Sequence, residues 1–333
     1  MQNRGRDKRF HTGRRHLLGA AAAAIAASGP LPALAQRFPD RPLRMIVPFA
    51  PGGAVDLVGR VLAQEMGARL GQSIVVDNRS GASGSIGAQA VARSEPDGYV
   101  MLMAPITSFA MTLAIPGNNF GLDLEKDLFA LGTVGVVPLV VAIHPSVPVS
   151  TLAELIAYAK ANPDLLTFAS AGNGSTEHLA AEMFMRQTGT RMVHVPYRGG
   201  APAITDLVAG QVKVMFPTAP TMMQRGAGTK VLAVAAAERI ATMPDVPTTR
   251  EAGLPDFEVA SLYGVLLPAG PPPAIVDLLS RTLMLACGSE QVRAKLAQQG
   301  ITVAPASPRD AKAKLATEVE RWAKLVREAG ITF

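Results

Sequence analysis

Two short loops are where this sequence could do chemistry. "PFAPGGAVD" (residues 48–56) and "SAGNGSTEH" (residues 170–178) each run from an apolar, strand-like segment through small residues into a helix. A turn of this kind can hold a nucleotide phosphate, a catalytic nucleophile or another small anion. The free N–H groups and partial positive charge at a helix start favour an anion. Gly52 and Gly53 let that anion approach without Cβ atoms in the way.

Phosphate and nucleophile can be tested against spacing. A Walker loop needs Gly-Lys-Ser/Thr and the chain has no Gly-Lys pair; neither "GNG" (172–174) nor "GAG" (226–228) completes G-x-G-x-x-G. A nucleophile elbow needs Gly two residues before and after Ser, but in "GASGSIG" Ser83 has only the first and Ser85 only the second. His178 and Glu182 stand at i, i+4 and could offer two metal ligands on one helical face, yet no third ligand has a recognisable spacing. His144 precedes Pro145 and His194 alternates within "RMVHVPY", positions that suit hydrogen-bonded packing. No cofactor and no metal are expected.

A small carboxylate remains. Two helix N-termini converging from two lobes can hold a dicarboxylate by backbone donors without an arginine cluster. Asp56, an acid in a first helical turn, then reads as a cap for free N–H groups and a complement to the dipole. Arg198, Thr107 and Ser108 are candidates for the far end of the ligand or for the rim, with Arg198 the sharper guess as an anion partner.

These loops need elements to carry them. After residue 40 short β-branched runs alternate with amphipathic helical patterns, which argues for an α/β architecture with largely parallel sheets. The pattern predicts strands near residues 43–48, 73–77, 99–104, 166–169, 192–196, 212–216 and 231–235. Helices are expected over 56–70, 86–92, 151–161, 175–188 and 201–209, and from 273, 290 and 309 onwards. The apolar run 131–143, broken by Pro138, reads as core strand. The strand–glycine loop–helix unit occurs twice, about 120 residues apart, which suggests two facing lobes. Pro- and Thr-rich segments near 105–107 and 217–220 place the crossings, so that 36–105 plus 218–333 form lobe 1 and 106–217 form lobe 2.

The first 35 residues read as an export signal: a basic n-region, an alanine-rich apolar core over 17–27, and Ala33-Leu34-Ala35 ahead of cleavage before Gln36. Arg14-Arg15 followed by His16-Leu17-Leu18 also fits a twin-arginine signal, so Sec and Tat export both stay open. The net charge is +6, and residues 1–35 carry six Lys/Arg and one acid, so five of those charges leave with the signal. The mature chain is then nearly neutral, and with no basic stripe interleaved with aromatics it gives no reason to expect nucleic acid. The single cysteine, Cys287, excludes an internal disulfide and reads as a small buried apolar residue.

Taken in order, "FPDRPLRMIVPFAPGGAVDLVGR", "DNRSGASGSIGAQAVARSEPDGY", "ELIAYAKANPDLLTFASAGNGSTEHLAAEMF", "VPYRGGAPAITDLVAGQVKVMF" and "MPDVPTTREAGLPDFE" resemble the extracytoplasmic solute receptors of tripartite tricarboxylate transporters, the Bug/TctC-like family. The resemblance covers essentially the whole mature chain. It implies a two-lobed periplasmic binding protein fold, class II-like, each lobe a mixed, mostly parallel sheet flanked by helices, joined by a two-segment hinge. It implies a carboxylate held largely by backbone groups and waters of the first loop, which maps onto Phe49, Ala50, Gly52, Gly53 and Ala54 with Asp56 at the helix start. The facing loop maps onto Ser170, Gly172, Asn173, Gly174 and Ser175, and Thr107, Ser108 and Asp206 are further carry-overs. The expected partners are a small carboxylate and the membrane permease subunits of a tripartite transporter, for a monomeric periplasmic receptor without catalysis. Competing classes are a sensor that presents ligand to a membrane signalling protein, and an exported hydrolase using Ser175 with His178 or a metal at His178 and Glu182.

Overall fold

The computed structural model describes residues 38–115, 120–225 and 227–328. The expected export signal lies outside them. The chain divides into a leading unit, Met1–Asp40, and a second unit, Arg41–Phe333, that carries every element named below. In chain order these are β1 (Leu43–Val47), α1 (Ala54–Leu70), β2 (Ile74–Asn78), α2 (Ser85–Ala92), β3 (Val100–Pro105), α3 (Ile106–Ala114), β4 (Leu128–Pro138), β5 (Val140–Ile143), α4 (Leu152–Ala161), β6 (Thr167–Ser170) and α5 (Thr176–Thr188). Then follow β7 (Val193–Pro196), α6 (Gly200–Val208), β8 (Val214–Met215), α7 (Ala219–Arg225), β9 (Lys230–Val234), β10 (Ala260–Pro268), α8 (Pro273–Gly288), α9 (Glu290–Ala297), β11 (Thr302–Ala306) and α10 (Pro308–Glu328).

Local chemistry explains the cleft-bearing units. On α1, Val55, Val58, Leu62 and Met66 recur at helical spacing and are buried. The helix stops where Gly71 takes φ 68°, a left-handed conformation in which a Cβ is disfavoured. α4 begins in a capping box, Thr151 accepting from the Glu154 N–H while the Glu154 carboxylate reaches back to the cap. Gly87 on α2 packs so close to β1's exit that an added Cβ would lie 2.9 Å from the Pro48 Cα.

The strands form two mixed sheets, ordered β11-β4-β10-β3-β1-β2 and β7-β6-β8-β5-β9. Parallel pairing joins β1 to β2 and β3, and β6 to β7 and β8. The antiparallel share is larger than the alternating pattern predicts. β10 pairs antiparallel with both β3 and β4, β11 with β4, and β5 with both β8 and β9. β10 and β11 went unread in the sequence because neither opens a strand–glycine loop–helix unit.

Sheet membership also moves the crossings. β4 belongs to the first sheet and β9 to the second, so the chain crosses at 138–140 and returns between 234 and 260, not at 105–107 and 217–220. Pro138 ends β4 because it has no N–H to continue a ladder. At the crossing, Leu139, Ala235 and Val259 exchange three backbone hydrogen bonds: Leu139 N–H to the Val259 carbonyl (3.2 Å), Ala235 N–H to Leu139 (2.9 Å) and Val259 N–H to Ala235 (3.0 Å). The Pro- and Thr-rich segments instead end β3 and β8 at the mouths of α3 and α7. The expected run of core strand over 131–143 is the pair β4 and β5, one in each sheet.

Two helices bridge the cores. On α3, Ile106 and Phe109 pack in the first lobe's core while Ala110 and Met111 pack in the second's. On α10, Ala311 and Leu315 join the first and Trp322 and Val326 the second. Trp322 is among the largest fully buried side chains, a burial whose loss costs about 3–5 kcal/mol. Cys287 is buried in α8, and burial pushes its thiol up to about 12. Among the described residues no helix is long and apolar enough to cross a membrane.

Candidate functional site

A cavity lies between the two sheets at the carboxyl ends of their parallel strands, where α/β folds place ligands. The first lobe contributes Phe49, Ala50, Gly53, Ala54, Val55 and Asp56 from the loop before α1, Pro105 and Ser108 at the start of α3, and Ser261 and Tyr263 from β10. The second lobe contributes Ala171, Thr176 and Glu177 around the start of α5, Gly200 at the start of α6, and Thr218 and Thr221 at α7. None of the described lining residues is Lys or Arg.

Helix starts dominate the walls. Gly53 caps α1 and Gly199 caps α6, and neither helix has a side-chain cap, so their first-turn N–H groups have no capping oxygen. The two starts nearly meet: a Cβ on Gly53 would stand 3.9 Å from the Ala201 nitrogen. Their dipoles add in a space with no lining cation, which is a setting for a negative group.

Asp56 serves the first loop. Its Oδ2 accepts from the Gly52 N–H (2.9 Å) and Arg60 Nε (3.0 Å), and its Oδ1 accepts from Asn78 Nδ2 (2.9 Å). Burial alone would raise its pKa, but Arg60, the Gly52 N–H and Asn78 outweigh it and hold the carboxyl below its usual range. Asn78 also donates to the Phe49 carbonyl (3.1 Å), so one polar cluster fixes the loop from residue 49 to 56.

Four groups in the cavity are unsatisfied or shifted by burial. Among the described residues the buried hydroxyls of Ser108 and Ser261 have no hydrogen-bond partner, and each such orphan costs about 1–3 kcal/mol unless something in the cavity meets it. Glu177 is buried, and desolvation pushes its carboxyl up to about 7, only partly offset by its own N–H and the Ser175 hydroxyl. Tyr263 is raised by burial and then by the neighbouring Glu177.

The lobes touch across the mouth. The Ala50 N–H donates to the Arg198 carbonyl (3.2 Å) and the Ser83 hydroxyl to the Asn173 carbonyl. The space within the cavity is about 30 Å³, room for roughly two waters. A small acid can enter only if the lobes part.

Of the residues expected to bind ligand, Phe49, Ala50, Gly53, Ala54, Asp56 and Ser108 line this cavity. The others lie elsewhere. Gly52 turns the loop at φ 84° and donates to Asp56. The Thr107 hydroxyl donates to Glu318 and accepts from the Leu262 N–H (3.0 Å), while Trp322 Nε1 donates to the same Glu318 oxygen (3.2 Å), so Thr107 joins elements of the lobe junction. Gly172 and Asn173 face Ser83, and the Gly174 carbonyl accepts from the Thr112 hydroxyl (2.9 Å); the facing loop makes lobe-to-lobe contacts, and the wall behind it is the first turn of α5 and the start of α6. Ser175 caps α5 by accepting from the His178 N–H (3.3 Å). Asp206 accepts from the Tyr197 hydroxyl (2.7 Å) on α6. The exposed Arg198 offers its carbonyl, not its guanidinium, to the mouth.

The histidines are packing groups. His178 Nδ1 accepts from the Gly174 N–H (3.0 Å), and its ring stacks on His194 at 3.8 Å between centroids. Burial lowers His178 to about 3 and His194 to about 4, with His194 adding to the shift on His178. His194 Nε2 lies 2.6 Å from the Ser170 hydroxyl, but Ser170 is fully buried and outside the cavity, so this pair is in no position to attack a bound molecule. Among the described residues no group of three His, Cys, Asp or Glu could hold a metal ion.

Sequence reading missed Glu177, Ser261 and Tyr263. Ser261 and Tyr263 carried a usable signal: they alternate with Leu262 in "ASLYGVLLP", which puts both on one face of a strand. Glu177 carried none, since an acid in a first turn ordinarily complements the dipole from solvent.

Comparison with known proteins agrees with this architecture. The family model described as the tripartite tricarboxylate transporter family receptor matches residues 58–331. Protein BugT of Bordetella pertussis is 38% identical over 302 residues, covering 90% of this chain and 92% of its own. The solved periplasmic binding protein BugD superposes with a TM-score of 0.85 at 34% identity, covering 89% of this chain and 99% of that one. The R. palustris protein Rpa4515, solved with adipate, does so with a TM-score of 0.84 at 34% identity and the same coverage.

Proposed function

The chain belongs to the tripartite tricarboxylate transporter receptor family, and from that premise we propose that it captures a small organic carboxylate between its lobes and delivers it to the membrane subunits of such a transporter. Receptors of this family are periplasmic binding proteins with the two-lobed fold described above. The observation that carries the reading is the meeting of two uncapped helix N-termini, α1 from one lobe and α6 from the other, over a cavity without a lining cation. Backbone N–H groups are the donors such a cavity offers a carboxylate. The adipate held by the R. palustris relative is a ligand of this chemistry.

The lobes work as a clamp. In their parted state the N–H groups of residues 53–55 and 200–201 face water. Closure around an acid brings both sets onto it and expels solvent. The protein acts as a monomer, exported by way of residues 1–35, and performs no catalysis. A thermal-shift screen against mono-, di- and tricarboxylates tests the binding step, since a ligand of the folded state raises apparent stability. Solution scattering with a bound acid tests the clamp. Stabilisation by a carboxylate together with a smaller radius of gyration is expected; no stabilisation by any acid overturns the reading.

A further inference from the structure

We propose that the protein takes up a proton together with its acid: Glu177 is protonated as the lobes close on a bound carboxylate, so that capture of ligand and proton is coupled. This rests on the carboxylate-receptor reading above and deepens it.

The donors that would hold an acid stand beside a carboxyl. The helix starts at Gly53 and Gly200 present N–H groups to a negative group. Glu177 Oε1 lies 3.8 Å from the position a Cβ on Gly200 would take, so an acid held at that start lies against the Glu177 carboxyl. Glu177 is 8% exposed, and none of the described lining residues is Lys or Arg.

The surrounding elements bring no charge that offsets it. Ser175 at the start of α5 gives a hydroxyl, and Tyr263 of β10 is held neutral by burial and by Glu177 itself. Ser108 of α3, Ser261 of β10, and Thr218 and Thr221 at α7 bring hydroxyls only. Asp56 of α1 is the other carboxyl of the cavity, and Arg60, the Gly52 N–H and Asn78 keep it ionised. His178, next along α5, is kept neutral by burial and is turned to Gly174 and His194. Arg198 is exposed and meets the mouth only through its carbonyl.

A carboxylate brought into this space meets Glu177 without a counter-ion, and like charges at close range raise the pKa of one of them. The helix starts favour the ionised form of the ligand, so the proton goes to Glu177. Protonation also turns an acceptor into a donor: the Glu177 O–H donates to the bound carboxylate, a charge-assisted bond that strengthens as closure expels water. Burial has already pushed Glu177 up to about 7 in the closed, ligand-free protein. Above that value the proton must be drawn from solvent when the acid binds, and binding weakens as pH rises.

The test is calorimetric titration of the whole protein with succinate, glutarate and adipate at pH 6 and pH 8, each in buffers of different ionisation enthalpy, which counts the protons taken up per acid. The wild type is expected to take up about one proton at pH 8 and to bind at least about tenfold more weakly there than at pH 6. Glu177→Gln is expected to take up none and to bind equally at both pH values, and Glu177→Ala serves the same comparison if that variant does not fold. Wild-type binding without proton uptake at pH 8 overturns the assignment, as does uptake that survives the substitution. Either result leaves the carboxylate-receptor reading intact. If none of the three acids binds at pH 6, that reading fails and this inference with it.

Discussion

Replacing Glu177 by Gln should stabilise the ligand-free protein, and by an amount that depends on pH. The carboxyl has an ordinary value of 4.5 and is pushed up to about 7 in the folded state. Between these values the native chain binds more protons than the unfolded one, so stability falls as pH rises, and the whole contribution is gone above about 7. At about 1.4 kcal/mol per pH unit, ionisation costs the native state under about 1 kcal/mol at pH 5 and about 3 kcal/mol at pH 8. The N-termini of α1, α5 and α6 favour the ionised form, and their dipoles shrink the effect. Gln keeps the shape and removes the charge. Urea unfolding with unchanged m should therefore show Glu177→Gln about 2 kcal/mol more stabilising at pH 8 than at pH 5. A difference below about 0.5 kcal/mol would mean that Glu177 is solvated or paired in the free protein, and the argument from its burial would be wrong.

Three further outcomes are expected. Gly53 is in extended backbone (φ −92°) with its nearest neighbour 3.9 Å from a built Cβ, so Gly53→Val should fold with an unfolding midpoint within about 2 °C of wild type but hold α1 and α6 apart, and thermal shift should show ligand stabilisation lost. Ser108→Ala with Ser261→Ala removes two orphan hydroxyls, so the free protein should gain about 2–6 kcal/mol in urea unfolding while affinity for the bound acid falls about tenfold. His178 and His194, lowered to about 3 and about 4, leave the unfolded state binding more protons below pH 6.5; each should remove about 1.4 kcal/mol per pH unit on acidification to its folded value. Unfolding curves from pH 6.5 down to 4 check this, with Glu177 opposing by the same slope down to 4.5.

The sequence alone determined the local units. Apolar period, hydroxyl caps and glycine stops are properties of neighbours along the chain, and they delimited α1, α4, α5 and most strands of the parallel units to within a residue or two. They also gave Asp56 its reading as an acid that serves its helix start, while the uncapped start at Gly53 emerged only from the structure. The rest needed contacts between distant residues. Where the lobes cross depends on which strand pairs with which, and Pro138 differs from Pro105 or Pro217 only through the sheet each strand joins. The second wall of the cavity could not be told from the facing loop, because 170–175, 176–177 and 199–200 all lie next to glycine-rich turns and only packing decides which points inward. Glu177 shows the limit most plainly. An acid in the first turn of a helix is written identically whether it meets water or a cavity, and the rise in its pKa comes from burial that only packing creates.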